Sequence, residues 1–148
     1  MYGSVTFIIV ALIAVATGLL IKRARDQRKL EAHTITAEGL HALVEARAMP
    51  LIFDVRVPLD LLADSEIIPG AKRIPPKEVL SNPDLIPREA DAVVYCTCPS
   101  DETARAILRQ ALDLRFTRVR LLRGGLAAWK AAGYPVEPYE ASFRLDSA

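Results

Sequence analysis

Apolar positions fall into three patterns along this chain. Residues 5–21 are nearly all aliphatic, and no charged residue occurs from 1 to 21. Apolar side chains all round a helix, with no polar stripe, suit a lipid interior. About 20 such residues cross the hydrocarbon core of a bilayer, so a transmembrane helix is predicted over 1–21. Beyond residue 32 short apolar runs alternate with stretches of helical period.

A short strand is expected at 33–35. Thr36 is a good N-cap for a helix over 37–47, with Leu40, Leu43 and Val44 on one face. The continuous apolar run at 51–55 predicts a buried strand. Residues 58–66 are ambiguous between a helical turn and a loop, and Pro69-Gly70 marks a turn. A strand at 71–74 precedes a proline-rich loop at 75–87 that leaves room for a short helix at 77–80. Then come a buried strand over 92–95, a helix over 101–114 and a strand over 119–122. Gly124-Gly125 is a tight turn, and a helix over 126–132 is stopped by Gly133 and Pro135. There is no internal repeat. Strands alternating with helices predict an α/β domain with a mostly parallel sheet covered on both faces.

Charge sets the expected orientation of the anchor. Lys22, Arg23, Arg25, Arg28 and Lys29 follow the apolar stretch, with Asp26 the one acid among them. Such a cluster stays on the cytoplasmic side and adds attraction to anionic headgroups. A cleaved signal peptide would carry its charges before the apolar stretch and a small-x-small site after it, and neither is present. A buried core helix is disfavoured because so small a domain could not cover it all round. The expected layout is an anchor at 1–21, a basic juxtamembrane linker at 22–32 (or a continuation of the anchor helix), a globular domain at 33–140 and a tail at 141–148.

Composition narrows the function. The 148 residues are 51% hydrophobic and 25% charged, with a mean hydropathy of +0.21. That value is raised by the N-terminal stretch. The net charge of +1 lacks the basic excess of a nucleic-acid binder. Two cysteines, Cys96 and Cys98, are too few for a disulfide scaffold. With only His33 and His41 as histidines, no four-ligand zinc site is expected. No metal or cofactor is expected; His33 and His41 read as surface or packing residues.

Chemistry concentrates in VVYCTCPSDETARAIL. Cys96 stands just past a buried strand and a few residues before a helix, where open α/β sheets bind ligands. Inward backbone N–H groups and the positive helix N-terminus would stabilise a thiolate there. A buried, inert cysteine is the competing reading. Cys98 is either a resolving thiol or a loop residue without chemistry, and a Cys-x-Cys disulfide would be strained and easily reduced. Asp101 and Glu102 would raise a nearby thiol's pKa if turned inward. As helix-start residues they are expected to cap instead.

Four ordered segments resemble the rhodanese-like domain family: LIFDVRVP at 51–58, IPGAKRIP at 68–75, VVYC at 93–96 and LLRGGLAAWKAAGYPVE at 121–137. The resemblance covers nearly all of the soluble part. It implies a central parallel five-stranded sheet flanked by helices. It also implies a sulfurtransferase in which Cys96 accepts sulfane sulfur, forms a persulfide and passes it to a thiol or another nucleophile. The cradle would be the backbone N–H groups of Thr97, Cys98, Pro99, Ser100, Asp101, Glu102 and Thr103, proline itself contributing none. Asp54 and Arg56 are expected to brace neighbouring loops, with substrate steering the alternative. Gly124 and Gly125 are expected to satisfy backbone geometry beside the cysteine loop, and Trp129 to lie in the core.

Two departures from the family pattern carry consequences. Glu66-Ile67 replaces the usual Gly-His, and the loop TCPSDET lacks the commoner glycine and basic residues. Thiosulfate, a dianion, is therefore disfavoured as donor, and a protein or low-molecular-weight persulfide is expected. A thiol acceptor and membrane lipid are the other expected partners, with no nucleic acid. A thiol-disulfide redox protein using Cys96 and Cys98, and a non-catalytic membrane-tethered binding module, are the alternatives. A cysteine-loop phosphatase is disfavoured, because Cys-x5-Arg is needed to clamp phosphate. Glu102 and Ala104 stand where that arginine would be.

Overall fold

The computed structural model describes residues 2–97 and 101–139. The chain divides into two compact units, residues 1–32 and 33–148.

The first unit is one helix, α1 (Tyr2–Ala32). It continues through the basic segment, so residues 22–32 are helical. At 1.5 Å per residue it is about 46 Å long, against about 30 Å of bilayer hydrocarbon. The span Val5–Ala32 is long and apolar enough to cross a membrane. Within it the Thr17 hydroxyl donates to the Ile13 carbonyl at 2.8 Å, which satisfies a polar group inside an apolar helix.

The second unit is built on a parallel sheet. Its strands are β1 (Thr34–Ile35), β2 (Leu51–Asp54), β4 (Lys72–Arg73), β5 (Ala92–Tyr95) and β6 (Val119–Leu122), in the order β1-β6-β5-β2-β4. The helices are α2 (Ala37–Glu45), α3 (Pro58–Ala63), α4 (Pro76–Ser81), α5 (Glu102–Asp113) and α6 (Gly125–Ala131). A further strand, β3 (Glu66–Ile67), pairs antiparallel with β7 (Glu137–Pro138).

Thr36 caps α2 as expected, its hydroxyl accepting from the Gly39 amide at 3.1 Å. That helix ends at Glu45, two residues before the expected boundary. Arg47 has turned left-handed at φ 55°, and the amides of Arg47 and Ala48 bond back to Val44 and Leu43. α3 and α4 each begin on a proline, whose missing N–H costs nothing in a first turn.

Side chains alternate across the strands and divide the core. On one face Ile52, Val93, Tyr95 and Leu122 pack with Ala37 and Leu40 of α2 and Leu126 and Trp129 of α6. α5 covers β5 and β6 on the other side and leans on α4, burying Ala104, Ile107, Leu108 and Ala111. β5 lies at the centre with partners on both sides. The carboxyl ends of all five strands meet at one edge of the sheet.

Candidate functional site

β5 delivers Cys96 to that edge. The residue is buried, at 1% exposure. Its neighbours come from the turn after β6. The Cys96 carbonyl accepts from the Leu126 amide at 3.2 Å. Gly125, at φ +54°, lies so close that a β-carbon on it would stand 1.8 Å from the Cys96 oxygen. No other residue type fits there. Gly124, at φ +73°, is restricted from its other side, where a β-carbon would meet the Ala128 β-carbon at 2.7 Å.

Asp101 ends the cysteine loop. Its backbone is left-handed, at φ 53°, and its carbonyl accepts the Arg105 amide at 2.8 Å, opening α5. Its side chain does not cap the helix, which corrects the capping expected of it. The left-handed backbone turns the carboxylate away from the α5 amides, and Oδ2 accepts from the Gly124 amide at 2.8 Å. Asp101 is 4% exposed, and Oδ1 receives no hydrogen bond among the described residues. Glu102 is exposed, Thr97 and Thr103 half-buried. The predicted Cys98, Pro99 and Ser100 lie outside the described residues.

Asp54 and Arg56 form a fully buried ion pair one strand away. The Arg56 Nε donates to Asp54 Oδ1 and Oδ2 at 2.9 and 2.8 Å. The rest of the guanidinium reaches across to the 64–66 segment. Nη1 donates to the Asp64 carbonyl at 2.6 Å and Nη2 to the Glu66 carbonyl at 2.8 Å. Every charged atom of the pair thus has a fixed partner, as a buried pair requires. Burial works to lower the Arg56 pKa, yet the Asp54 hydrogen bond and charge outweigh it, and the net direction is upward.

Tyr95 ties this pair to the cysteine strand. Its hydroxyl donates to Asp54 Oδ2 at 3.2 Å and accepts from the Ile68 amide at 3.3 Å. Burial, then the Asp54 charge, raises the phenol well above its ordinary value, so it stays a donor. The sequence pattern marked Tyr95 as an apolar strand residue and missed this role. The available signal was a hydroxyl-bearing aromatic at a strand end beside the strand that carries Asp54. A half-exposed cluster outside the predicted set braces the same segment: the Lys130 Nζ bonds Asp64 Oδ2 at 2.6 Å and Glu66 Oε2 at 2.5 Å.

Trp129 lies in the core with its Nε1 donating to the Pro135 carbonyl at 2.8 Å. His41 stacks on Tyr134 with ring centres 3.9 Å apart, a packing role away from the cysteine edge. The His33 carbonyl accepts from the Leu121 amide at 2.8 Å.

The family model described as Rhodanese-like domain matches residues 36–132. A sulfurtransferase of Allochromatium vinosum is 30% identical over 104 residues, which are 69% of this chain and 92% of the relative. The rhodanese-like domain of a protein from Anabaena sp., solved in solution, aligns with a TM-score of 0.57 at 29% identity, covering 74% of this chain and 82% of that one. A rhodanese-related protein from Thermoplasma volcanium aligns with a TM-score of 0.56 at 24% identity, covering 71% and 97%.

Proposed function

The chain belongs to the rhodanese-like domain family, and from that premise we propose that it transfers sulfane sulfur through a persulfide on Cys96. A sulfurtransferase-type function has the support of the family and of the Allochromatium relative. The observation that carries the finer reading is the position of Cys96. It sits at the carboxyl end of the central strand, enclosed by Gly125, ahead of the N-terminus of the 12-residue helix α5. The positive end of that helix favours the thiolate over the thiol and works against the buried Asp101 carboxylate, which opposes it.

In the first half-reaction the Cys96 thiolate attacks the outer sulfur of a donor R–S–SH. The donor S–S bond breaks, R–S⁻ leaves with the bonding pair, and Cys96–S–SH remains. In the second, an acceptor thiolate attacks the outer sulfur and Cys96 departs as thiolate. No net oxidation occurs. The chain is proposed to work at a membrane, anchored by α1, with the globular unit on the cytoplasmic side of the basic segment.

The test uses the full chain in detergent, treated with glutathione persulfide and separately with thiosulfate. Wild type, Cys96→Ala and Cys98→Ala are then weighed intact. The expected result is a gain of one sulfur atom that disappears only in Cys96→Ala, with the persulfide the better donor. No adduct, together with loss of two hydrogens on mild oxidation that requires both cysteines, would replace this reading with a thiol-disulfide one. Neither change in folded protein would leave a tethered binding module.

A further inference from the structure

We propose that Asp101 is a specificity-determining residue, selecting sulfur donors that carry an ammonium group near the sulfane sulfur and turning away anionic ones. The inference rests on Cys96 as the sulfur carrier. Asp101 and Cys96 flank the same dipeptide: Gly124 donates to Asp101 Oδ2, and Gly125 abuts the Cys96 carbonyl. The carboxylate is buried, and its second oxygen is unmatched by any donor among the described residues.

An acceptor buried without a donor is costly, and a ligand that supplies one recovers that cost. An ammonium supplies both a hydrogen bond and the opposite charge, and such a bond is about twice as strong as a neutral one. An anionic donor instead sets lone pairs against lone pairs at a carboxylate that is only 4% exposed. Arg105 lies one turn along α5. Among the described residues no ion pair joins it to Asp101, and its own Nε has no partner.

The step selected is attack by the Cys96 thiolate on the outer sulfur of R–S–SH, releasing R–S⁻. The ammonium stays on R and is not transformed.

Two donors of matched length decide the matter: the persulfides of cysteamine, with an ammonium, and of 3-mercaptopropionate, with a carboxylate. Initial rates of sulfur loading on the full chain are measured with each by intact mass. The expected wild-type preference for cysteamine persulfide is at least about tenfold, the scale of one favourable charge contact at a part-screened site. In Asp101→Asn, which keeps an oxygen for the Gly124 amide, the ratio should fall toward one. Asp113→Asn, altering an exposed carboxylate at the far end of α5, should leave it unchanged.

A wild-type ratio near one overturns the proposal whatever the variants do, so a poorly folded Asp101→Asn does not shelter it. An unchanged ratio in folded Asp101→Asn also overturns it, even if both rates drop. Loading by both donors without preference removes the selectivity and leaves the sulfur carrier standing. Loading by neither, in folded wild type, removes both.

Discussion

The Tyr95 hydroxyl donates to Asp54 Oδ2 across neighbouring strands, at 3.2 Å. The bond runs between the residue before Cys96 and one half of a buried ion pair. Asp54 is therefore shared by Arg56, by the Arg56 amide at 3.0 Å and by the cysteine strand. Removing one member leaves the others buried without their partner.

Arg56→Met is accordingly expected to destabilise the globular unit by about 3–5 kcal/mol, the cost of stranding a buried charge. Asp54→Leu should cost a similar amount, and the double variant clearly less than the sum. Tyr95→Phe removes a single neutral donor and should cost about 1–2 kcal/mol. Urea titrations of the wild type and the four variants measure these values, and strict additivity of the two charge removals would contradict the coupling.

Gly125 and Gly133 both have positive φ, but their surroundings differ. A β-carbon on Gly133 meets nothing within 4 Å, whereas one on Gly125 collides with Cys96. Gly133→Ala should cost about 1–2 kcal/mol, the left-handed penalty alone. Gly125→Ala adds overpacking of about 1–3 kcal/mol and pushes on the backbone of Cys96. Thermal melts and sulfur-loading rates should separate them: Gly133→Ala loads at the wild-type rate and Gly125→Ala does not.

The contacts of Lys130 with Asp64 and Glu66 predict a pH window. For Asp64, burial acts upward but the Lys130 hydrogen bond and the Glu66 backbone contact hold its pKa below the ordinary 3.8. Its stabilisation is present above 3.8 and is lost as pH falls through the lower folded value. The Lys130 pKa is raised above 10.5, chiefly by its hydrogen bonds to Asp64 and Glu66. That contribution is complete below 10.5 and is lost as pH rises through the higher folded value. Lys130→Met should therefore lower stability by about 1 kcal/mol or less at neutral pH, as befits a half-exposed pair. The gap from wild type should close at both pH extremes, and a gap that widened in acid would refute the assignment.

The apolar α1 makes its own prediction. Full-length protein should remain with membranes through an alkaline carbonate wash. Leu12→Arg with Ile13→Arg should release it or block insertion, since a charge at a helix centre costs about 2.5–3.5 kcal/mol on insertion scales. In sealed inverted vesicles the globular unit should be open to added protease. Protection there would reverse the proposed orientation.

Local pattern carried much of this architecture. Unbroken apolarity marked α1, the run around Val94 marked the central strand, and Thr36 marked a helix start because its hydroxyl acts within three residues. Where the determinant is tertiary, the pattern was silent. β3 and β7 are two residues each and pair across about seventy positions, without alternation to announce them. Asp101 is a favoured residue type for a cap, yet its left-handed backbone and the Gly124 amide redirect it. Tyr95 reads as an apolar strand residue until Asp54 is seen beside it. The lesson concerns polar groups: sequence locates them, but only the fold decides which backbone amide they meet.

The enclosure of Cys96 has a last consequence, for the durability of the sulfur atom. A reactive thiolate in open solvent is carried by peroxide through sulfenic to sulfinic acid, from which there is little return. Here the cysteine follows a strand hydrogen-bonded on both sides and is 1% exposed. Oxidants in bulk water meet it only at the rate at which the packing around it, Gly125 included, opens. Its inactivation by peroxide should follow that opening rate and level off as peroxide is increased, so that the surrounding fold, more than the thiol itself, fixes how long the residue lasts.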